Sequence, residues 1–434
     1  MRRARSRGAR YAAAAALVAA LAGLTACGGG KAEEATGPVK VVWWHGQVEN
    51  QAKVIQNLVA DYNRTHPGVQ VVPAVGTTNV DDMLQKVQAA LAGGDAPDIA
   101  YMYGSWSAHL AKSPKVVDLT KIVKDPAFGW DDFWPSERAV AEVNGKVIGI
   151  PAIVDNLAVV YNKKLFDAAG LAYPSKDWTW DDFRAAAKKL TSPEKGVYGT
   201  SYPVTGSEDT VWRFWPMLWQ QGGAIVSPDG KKSAFDTPQA AQALTLWQQM
   251  AREDKSVYLD QNGEKFLPLF QSGKTGMVIA GPWALFDFID HKIDYGVQVL
   301  PGYGGNHETI AGPDNWVVFD NGARRSKAAT DFLTWLTRPE QDARWTLGLG
   351  NLPVRKATMA LPAYKKFVQD FPDVDVFTAN LDNAKQARPA LEAYPEFSEK
   401  VGDAIAHVLI AGAPVQQALD QAVKDGDRVL ARSR

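Results

Sequence analysis

Three tryptophans stand at i, i+3 and i+7 in the run Trp212-Arg213-Phe214-Trp215-Pro216-Met217-Leu218-Trp219. On a helix that spacing sets three flat apolar rings on one face. Such a face either packs into a core or lines a cleft where the C–H faces of a sugar ring stack on indoles. Spacing alone leaves both open. Other patterns that could carry chemistry are weaker. Gly273-Lys274-Thr275 ends like a phosphate-binding loop, but Pro268 occupies the place of its leading glycine, and a strand-like run follows where a helix should. His307-Glu308 has no second histidine at metalloprotease spacing. The six histidines are scattered and the chain has one cysteine, so no metal site and no cofactor is expected.

The 434 residues are 46% apolar or aromatic and 22% charged, an ordinary globular balance with length enough for two domains. The formal net charge is −1, yet residues 1–26 hold five arginines and no acid, which leaves −6 on the remainder. A mildly acidic body without a basic run argues against nucleic acid as a partner. Residues 1–26 read as a targeting segment. Arg2, Arg3, Arg5, Arg7 and Arg10 precede the apolar run Tyr11 to Leu24, which is short of the ~20 residues that span a bilayer. It ends at Leu24-Thr25-Ala26-Cys27, which resembles a bacterial lipobox. That resemblance implies cleavage before Cys27, lipidation of its thiol, and attachment to the outer face of the membrane through the lipid alone; a simple secretory signal is the alternative. Residues 27–38, rich in Gly, Ala, Glu and Lys, form a tether.

Val39 to Trp44 is a β-branched and aromatic run that predicts a buried strand, followed by a helix over Asn50 to Arg64 and a strand over Val69 to Val75. Strand, helix and strand in so short a span predict a parallel pair with a right-handed crossover. Asp81 to Leu91 is amphipathic, and Asp98 to Tyr103 predicts a third strand. His45 to Gln47 and Tyr103 to Trp106 therefore fall at carboxyl ends of strands, where open α/β sheets gather their ligand-binding groups. Asn144-Gly145 suits a hairpin turn, Thr179 an N-cap, Pro238 a first helical turn, and Gly222-Gly223 a helix stop. Strands are expected at 148–151, 158–161, 274–280, 295–300 and 315–319, and a helical tail at 397–410 and 414–430. The alternation of strands and helices points to α/β domains.

From Trp43 onward the order of landmarks resembles the extracellular solute-binding proteins of ABC sugar importers, in the family that includes maltose-binding protein. The landmarks are Trp44-His45-Gly46, Ala96-Pro97-Asp98-Ile99, Pro151 through Tyr161-Asn162, Trp215-Pro216 with Gly222-Gly223, and Gly281-Pro282-Trp283. Asp294-Tyr295-Gly296-Val297, Leu352-Pro353-Val354 and Pro414-Val415-Gln416-Gln417-Ala418-Leu419 complete the series. The resemblance spans roughly Val39 to Arg432. It implies a two-lobed periplasmic-binding-protein fold whose chain crosses between lobes three times, near Ile153–Leu157, Glu308–Gly312 and Leu352–Lys356. Residues 39–153 plus 312–352 would form the N-terminal lobe, and 154–311 plus 353–434 the C-terminal lobe. The implied function is capture of a mono-, di- or oligosaccharide by hinge closure and its delivery to membrane permease subunits, by a monomer that is not an enzyme.

The same resemblance places Trp212, Trp215 and Trp283 against the sugar faces, with Trp212 replacing a tyrosine, and Asp155 with Asn156 on the first crossing, where an acid bonds hydroxyls. Gln47 stands where the family has an aspartate, and Glu49 lies two residues on; an amide both donates and accepts. His45 is either a ligand contact or a loop cap. Tyr103, Ser105 and Trp106 occupy a strand end where relatives place an acid and an aromatic, and this chain has no acid there. Gly312 and Asp314 mark the second crossing and Arg355 the third, Arg355 being either a ligand contact or a hinge salt bridge. Rival readings are a secreted glycoside hydrolase, which would need two carboxylates about 5–9 Å apart that no motif here identifies, and an adhesin for polymeric glycan. Pro216 sharpens the tryptophan run. It lacks the N–H an interior helical position needs, so a helix starts just before it. Trp212 and Trp215 then belong at its leading end beside the cleft, and Trp219 in the core.

Overall fold

β-Branched and aromatic residues alternate along Val39–His45 (β1), so that Val41, Trp43 and His45 turn to one buried face. Eleven further strands follow: Val69–Val75 (β2), Ile99–Tyr103 (β3), Glu142–Val143 (β4), Lys146–Val147 (β5), Ile150–Ile153 (β6), Ala158–Asn162 (β7), Tyr198–Pro203 (β8), Val257–Asp260 (β9), Thr275–Ala280 (β10), Tyr295–Gln298 (β11) and Asp314–Val318 (β12). The computed structural model describes residues 37–77 and 79–433, the side chains of Glu49 and Asn50 excepted. The expected signal segment and Cys27 lie outside the described residues, as does all but the end of the tether. Among the described residues no helix is long and apolar enough to cross a membrane.

Ten of the strands form two sheets. The first runs β2-β1-β3-β12-β6 and the second β11-β7-β10-β8-β9. The expected parallel opening is present: β1 pairs in parallel with β2 along its whole length and with β3 at Trp43 and Trp44. The sheets are nevertheless mixed, since β12 enters antiparallel between β3 and β6, and β7 runs antiparallel to β10 and β11. β4 and β5 form a separate hairpin in which Asn144 and Gly145 both take positive φ, 52° and 75°, as a two-residue turn with right-handed twist requires.

Each sheet is covered on both faces. In the first, Trp43 meets Trp316 edge-on at 5.0 Å and Phe332 at 5.2 Å, while Ala100, Met102 and Val317 face an opposite cluster with Met83 and Val87. In the second, Val159, Tyr161, Met277 and Ile279 share a core with the helices Trp180–Leu190 and Pro238–Arg252, and Val415–Arg432 packs on Pro238–Arg252 and on Tyr394–Ala406. Thr179 caps the first of these through a reciprocal bond with Asp182.

The chain passes between the sheets where β6 gives way to β7 and where β11 gives way to β12. Along these passages Val154 bridges Leu352 and Asn156 bridges Ala311, so three extended segments lie side by side. The Leu352 N–H donates to the Val154 carbonyl at 3.0 Å and the Gly312 N–H to the Asp155 carbonyl at 3.1 Å. Paired backbone here joins the sheets with few torsions free to turn, which is the geometry of a hinge. The third segment stays with the first sheet for longer than its Leu352 bridge alone. Trp134 Nε1 donates to the Pro353 carbonyl at 2.8 Å, and Arg355 is bonded to Phe128 and Gly129.

Candidate functional site

A cavity of about 220 Å³ opens where the three passages meet. From the first sheet's side it is lined by Gly46, Gln47 and Gln51 after β1, by Tyr101 and Tyr103 of β3, and by Asp314 at the start of β12. Because β12 runs antiparallel, its first residue lies level with the carboxyl end of β3, with Asp314 opposite Tyr103. The passages supply Ile153, Asp155, Gly312 and Asn351. From the second sheet's side come Glu208, Asp209, Trp212, Arg213, Phe266, Trp283 and Arg388.

Two indoles form the apolar wall. Trp212 and Trp283 lie 5.6 Å apart between ring centroids and are tilted by 32°. Trp283 is half-buried and packs against both principal hydrophobic clusters, and Trp212 is 8% exposed with its Nε1 unpartnered. Glycines make room for these side chains. A Cβ on Gly281 would overlap the Trp283 ring, and one on Gly312 would overlap both Asp155 Oδ1 and the Trp212 ring. Gly312 is not left-handed, so alanine there meets no backbone strain and acts only by pushing on its neighbours. We expect Gly312→Ala to cost about 1–3 kcal/mol of ligand affinity, the usual range for overpacking. Calorimetric titration against wild type checks it; an unchanged affinity would mean that Asp155 and Trp212 do not touch the ligand.

The polar lining is acidic. Asp314 accepts from the Tyr101 hydroxyl and, at 3.3 Å, from the Gly104 N–H. Glu208 accepts from Arg388 Nη1 at 3.0 Å and from the Tyr394 hydroxyl at 3.3 Å. Asp209 pairs with Arg213, which also donates to the Ile279 carbonyl at 3.1 Å. Asp155 is 7% exposed, and its Oδ1 has no hydrogen-bond partner in the chain. Burial, then the neighbouring charge of Asp314, pushes the Asp155 carboxyl well above the usual carboxylate range, against the pull of Arg388. Burial raises Asp314 to about 6 although Arg388 and Tyr101 oppose it. Asp81, just outside the cavity, is raised to about 7 by burial and by the charge of Asp209 across the cleft.

The walls touch each other over the cavity. Ser207 donates to Asp81, Lys112 pairs with Glu392 at 2.9 Å, and His109 Nδ1 lies 3.2 Å from the Glu392 carbonyl oxygen.

Of the residues singled out in the sequence, Gln47, Tyr103, Asp155, Trp212, Trp283, Gly312 and Asp314 line the cavity. The side chain of Glu49 and the residue Cys27 are outside the described residues. The others have different work. Trp215 is fully buried and donates from Nε1 to the Tyr394 hydroxyl at 3.1 Å, so it is a core residue rather than a cleft platform. Trp212 ends the helix Glu208–Trp212 and Trp215 starts the next, Trp215–Trp219, and the break at Arg213-Phe214 turns the two rings to different sides. Trp219 is core, as expected. His45 accepts the Gln47 N–H at 3.2 Å, packs on Trp43, and is held neutral by burial, which lowers it to about 4; it caps the strand end. Ser105 and Trp106 are buried in a short turn, Trp106 in the cluster behind the first sheet. Asn156 is spent on the Phe377 carbonyl and Asn380, both at 2.8 Å. Arg355 donates to the carbonyls of Phe128, Gly129 and Thr337 and lies 4.1 Å over the Phe133 ring, so it fastens the third passage. Sequence reasoning missed Glu208, Asp209 and Arg388. Glu208 was findable, since it stands one helical turn before Trp212; Arg388 lies in an irregular segment with no pattern to mark it.

Two α/β bodies joined by three side-by-side strands, with a half-apolar, half-polar cavity at the joint, define a two-lobed solute-binding protein. The chain belongs to the bacterial extracellular solute-binding protein family, whose model matches residues 46–343. Among its relatives is an sn-glycerol-3-phosphate-binding periplasmic protein of Pectobacterium atrosepticum, 25% identical over 90% of this chain and 91% of the relative. An ABC substrate-binding protein of Listeria monocytogenes, solved with cycloalternan, superposes with a TM-score of 0.82 at 25% identity, covering 91% of this chain and 99% of the other. A cyclic alpha-maltosyl-1,6-maltose binding protein of Arthrobacter globiformis superposes at 0.74 with 28% identity, covering 91% and 100%.

Proposed function

We propose that this protein captures a sugar, a di- or oligosaccharide, outside the cytoplasm by closing its lobes over it, and delivers it to the membrane permease subunits of an ABC importer. The observation that carries the reading is the cavity itself: two indole faces for the C–H surface of a ring, and a rim of carboxyl, amide and phenol groups for its hydroxyl edge. The relatives solved with cycloalternan and named for maltosyl-maltose support it. A glycerol phosphate, the ligand named for another relative, suits the cavity poorly. Both lining arginines are already paired, Arg213 with Asp209 and Arg388 with Glu208, and a phosphate would face Asp155 and Asp314 with acceptors alone.

We assign residues 39–153 with 312–352 to one lobe and 154–311 with 353–434 to the other, with Pro353–Arg355 as a strap bonded to the first. The protein acts as a monomer, is anchored by a lipid on Cys27, and performs no chemistry on its ligand. A thermal-shift screen over di- and oligosaccharides tests the capture reading, since a ligand that binds only the folded state raises its melting temperature. A panel of sugars with no shift, or turnover of the sugars at catalytic protein concentration, would defeat it. Fatty-acid labelling of cells making wild type and Cys27→Ser tests the anchor; equal labelling of the two would exclude it.

A further inference from the structure

Every base that lines the cavity is matched by an acid, and two acids are left over. Arg388 bonds Glu208 and Arg213 bonds Asp209, while Asp155 and Asp314 have no basic partner of their own. Asp155 is more than nine-tenths buried, lines the cavity, and keeps Oδ1 without a partner. An unpartnered buried carboxyl costs stability, and a binding site retains it only when the ligand answers it. A neutral hydroxyl answers with one hydrogen bond and leaves the charge uncompensated. An ammonium answers with charge-assisted bonds and with the charge itself. Beside these acids stand the faces of Trp212 and Trp283, and an indole face attracts a cation as well as a C–H surface.

Resting on the sugar-capture reading, we infer that the natural ligand is an amine-bearing sugar, with its protonated nitrogen held between Asp155 and Asp314 and its ring against Trp212 and Trp283. The amine also explains how closure is compatible with the acids it gathers. Asp155 and Asp314 come from the passages and the first sheet, Glu208 from the second lobe, so a cation among them is attracted to both walls at once. Burial pushes both surplus carboxyls upward, Asp314 to about 6; an ammonium between them supplies the charge that the chain itself does not.

Matched ligands test this on the full-length protein in mild detergent at pH 7.5. Glucosamine, galactosamine, mannosamine and the di- and trisaccharides of glucosamine are each titrated calorimetrically against the hydroxyl parent and the N-acetyl derivative, which keeps the nitrogen but not its charge. The amine is expected to bind about tenfold tighter than either counterpart, the margin of a charge-assisted over a neutral hydrogen bond. Asp155→Asn, which keeps the shape, should remove most of that margin, so that the amine and its parent bind within about threefold of each other. A parent or N-acetyl sugar that binds as tightly as its amine, or an unchanged margin in Asp155→Asn, overturns the inference and leaves sugar capture standing. Absence of binding by every member overturns both.

Discussion

Arg388→Met is expected to destabilise the protein by about 3–5 kcal/mol at pH 7.5, the range for breaking a buried charge pair. Arg388 is buried, bonds Glu208 at 3.0 Å, and is the cation whose charge opposes the upward shift of Asp155, Asp314 and Glu208 alike. Methionine fills similar volume but leaves these carboxyls without their cation. The loss should depend on pH with a definite sign. A carboxyl raised in the folded state holds a proton that the unfolded chain gives up above about pH 4, so stability falls as pH rises through the interval between the two values. For Asp314 that interval ends near 6 and for Asp81 near 7. Wild type should therefore lose stability from pH 5 to pH 7.5, and Arg388→Met should lose more, because removing the cation raises the folded-state values further. Urea unfolding at both pH values reads the difference. A deficit under about 1 kcal/mol at pH 7.5, or one that grows on acidification, would show that Arg388 does not hold these acids.

Trp283→Ala is expected to weaken binding of the captured sugar by about 2 kcal/mol or more, roughly thirtyfold, through lost stacking and lost apolar burial. Its ring is half-buried, packs against both principal hydrophobic clusters, and lies 5.6 Å from Trp212 over the cavity. Intrinsic fluorescence titration measures the effect, and the sugar-induced change in emission should itself shrink with the loss of an indole at the site. An affinity within threefold of wild type would place the sugar elsewhere in the cavity. Trp215 supplies the contrast: enclosed in the core and bonded to Tyr394, it should report truncation as lost stability.

These two residues also show how far the sequence carries. Trp283 follows a strand and a Gly-Pro pair, landmarks legible in one dimension. Arg388 sits in an irregular stretch between helices, and its role arises from three acids brought to it from separate elements. Strands were readable because β-branched runs such as Val39 to Trp44 have no other use, and Asn144-Gly145 fixed its turn by its own backbone preference. The antiparallel entry of β12 was not readable, since strand direction depends on the path of the connection rather than on the strand's residues. The helices Pro339–Leu349, Pro362–Asp370 and Asp373–Asn380 went unanticipated because each is short and only partly apolar on its inner side. The run from Trp212 to Trp219 was half legible. Pro216 located the second helix correctly, but the helical break just before it changed the phase, so that Trp212 reached the cavity while Trp215 turned inward.

Asp155 and Gly312 make the hinge and the site one object. The Gly312 N–H bonds the Asp155 backbone on neighbouring passages, while the Asp155 side chain lines the cavity against Gly312's bare Cα. Any ligand that presses on Asp155 or Trp212 therefore presses on the strands that join the lobes. Contacts such as Ser207 to Asp81 and Lys112 to Glu392 then decide whether the lobes stay shut. Small-angle X-ray scattering, on the protein alone and saturated with the sugar found by screening, tests that coupling most directly. Capture by closure predicts that the radius of gyration falls on binding and that the sugar is recovered intact. A bound sugar with an unchanged radius of gyration would contradict it.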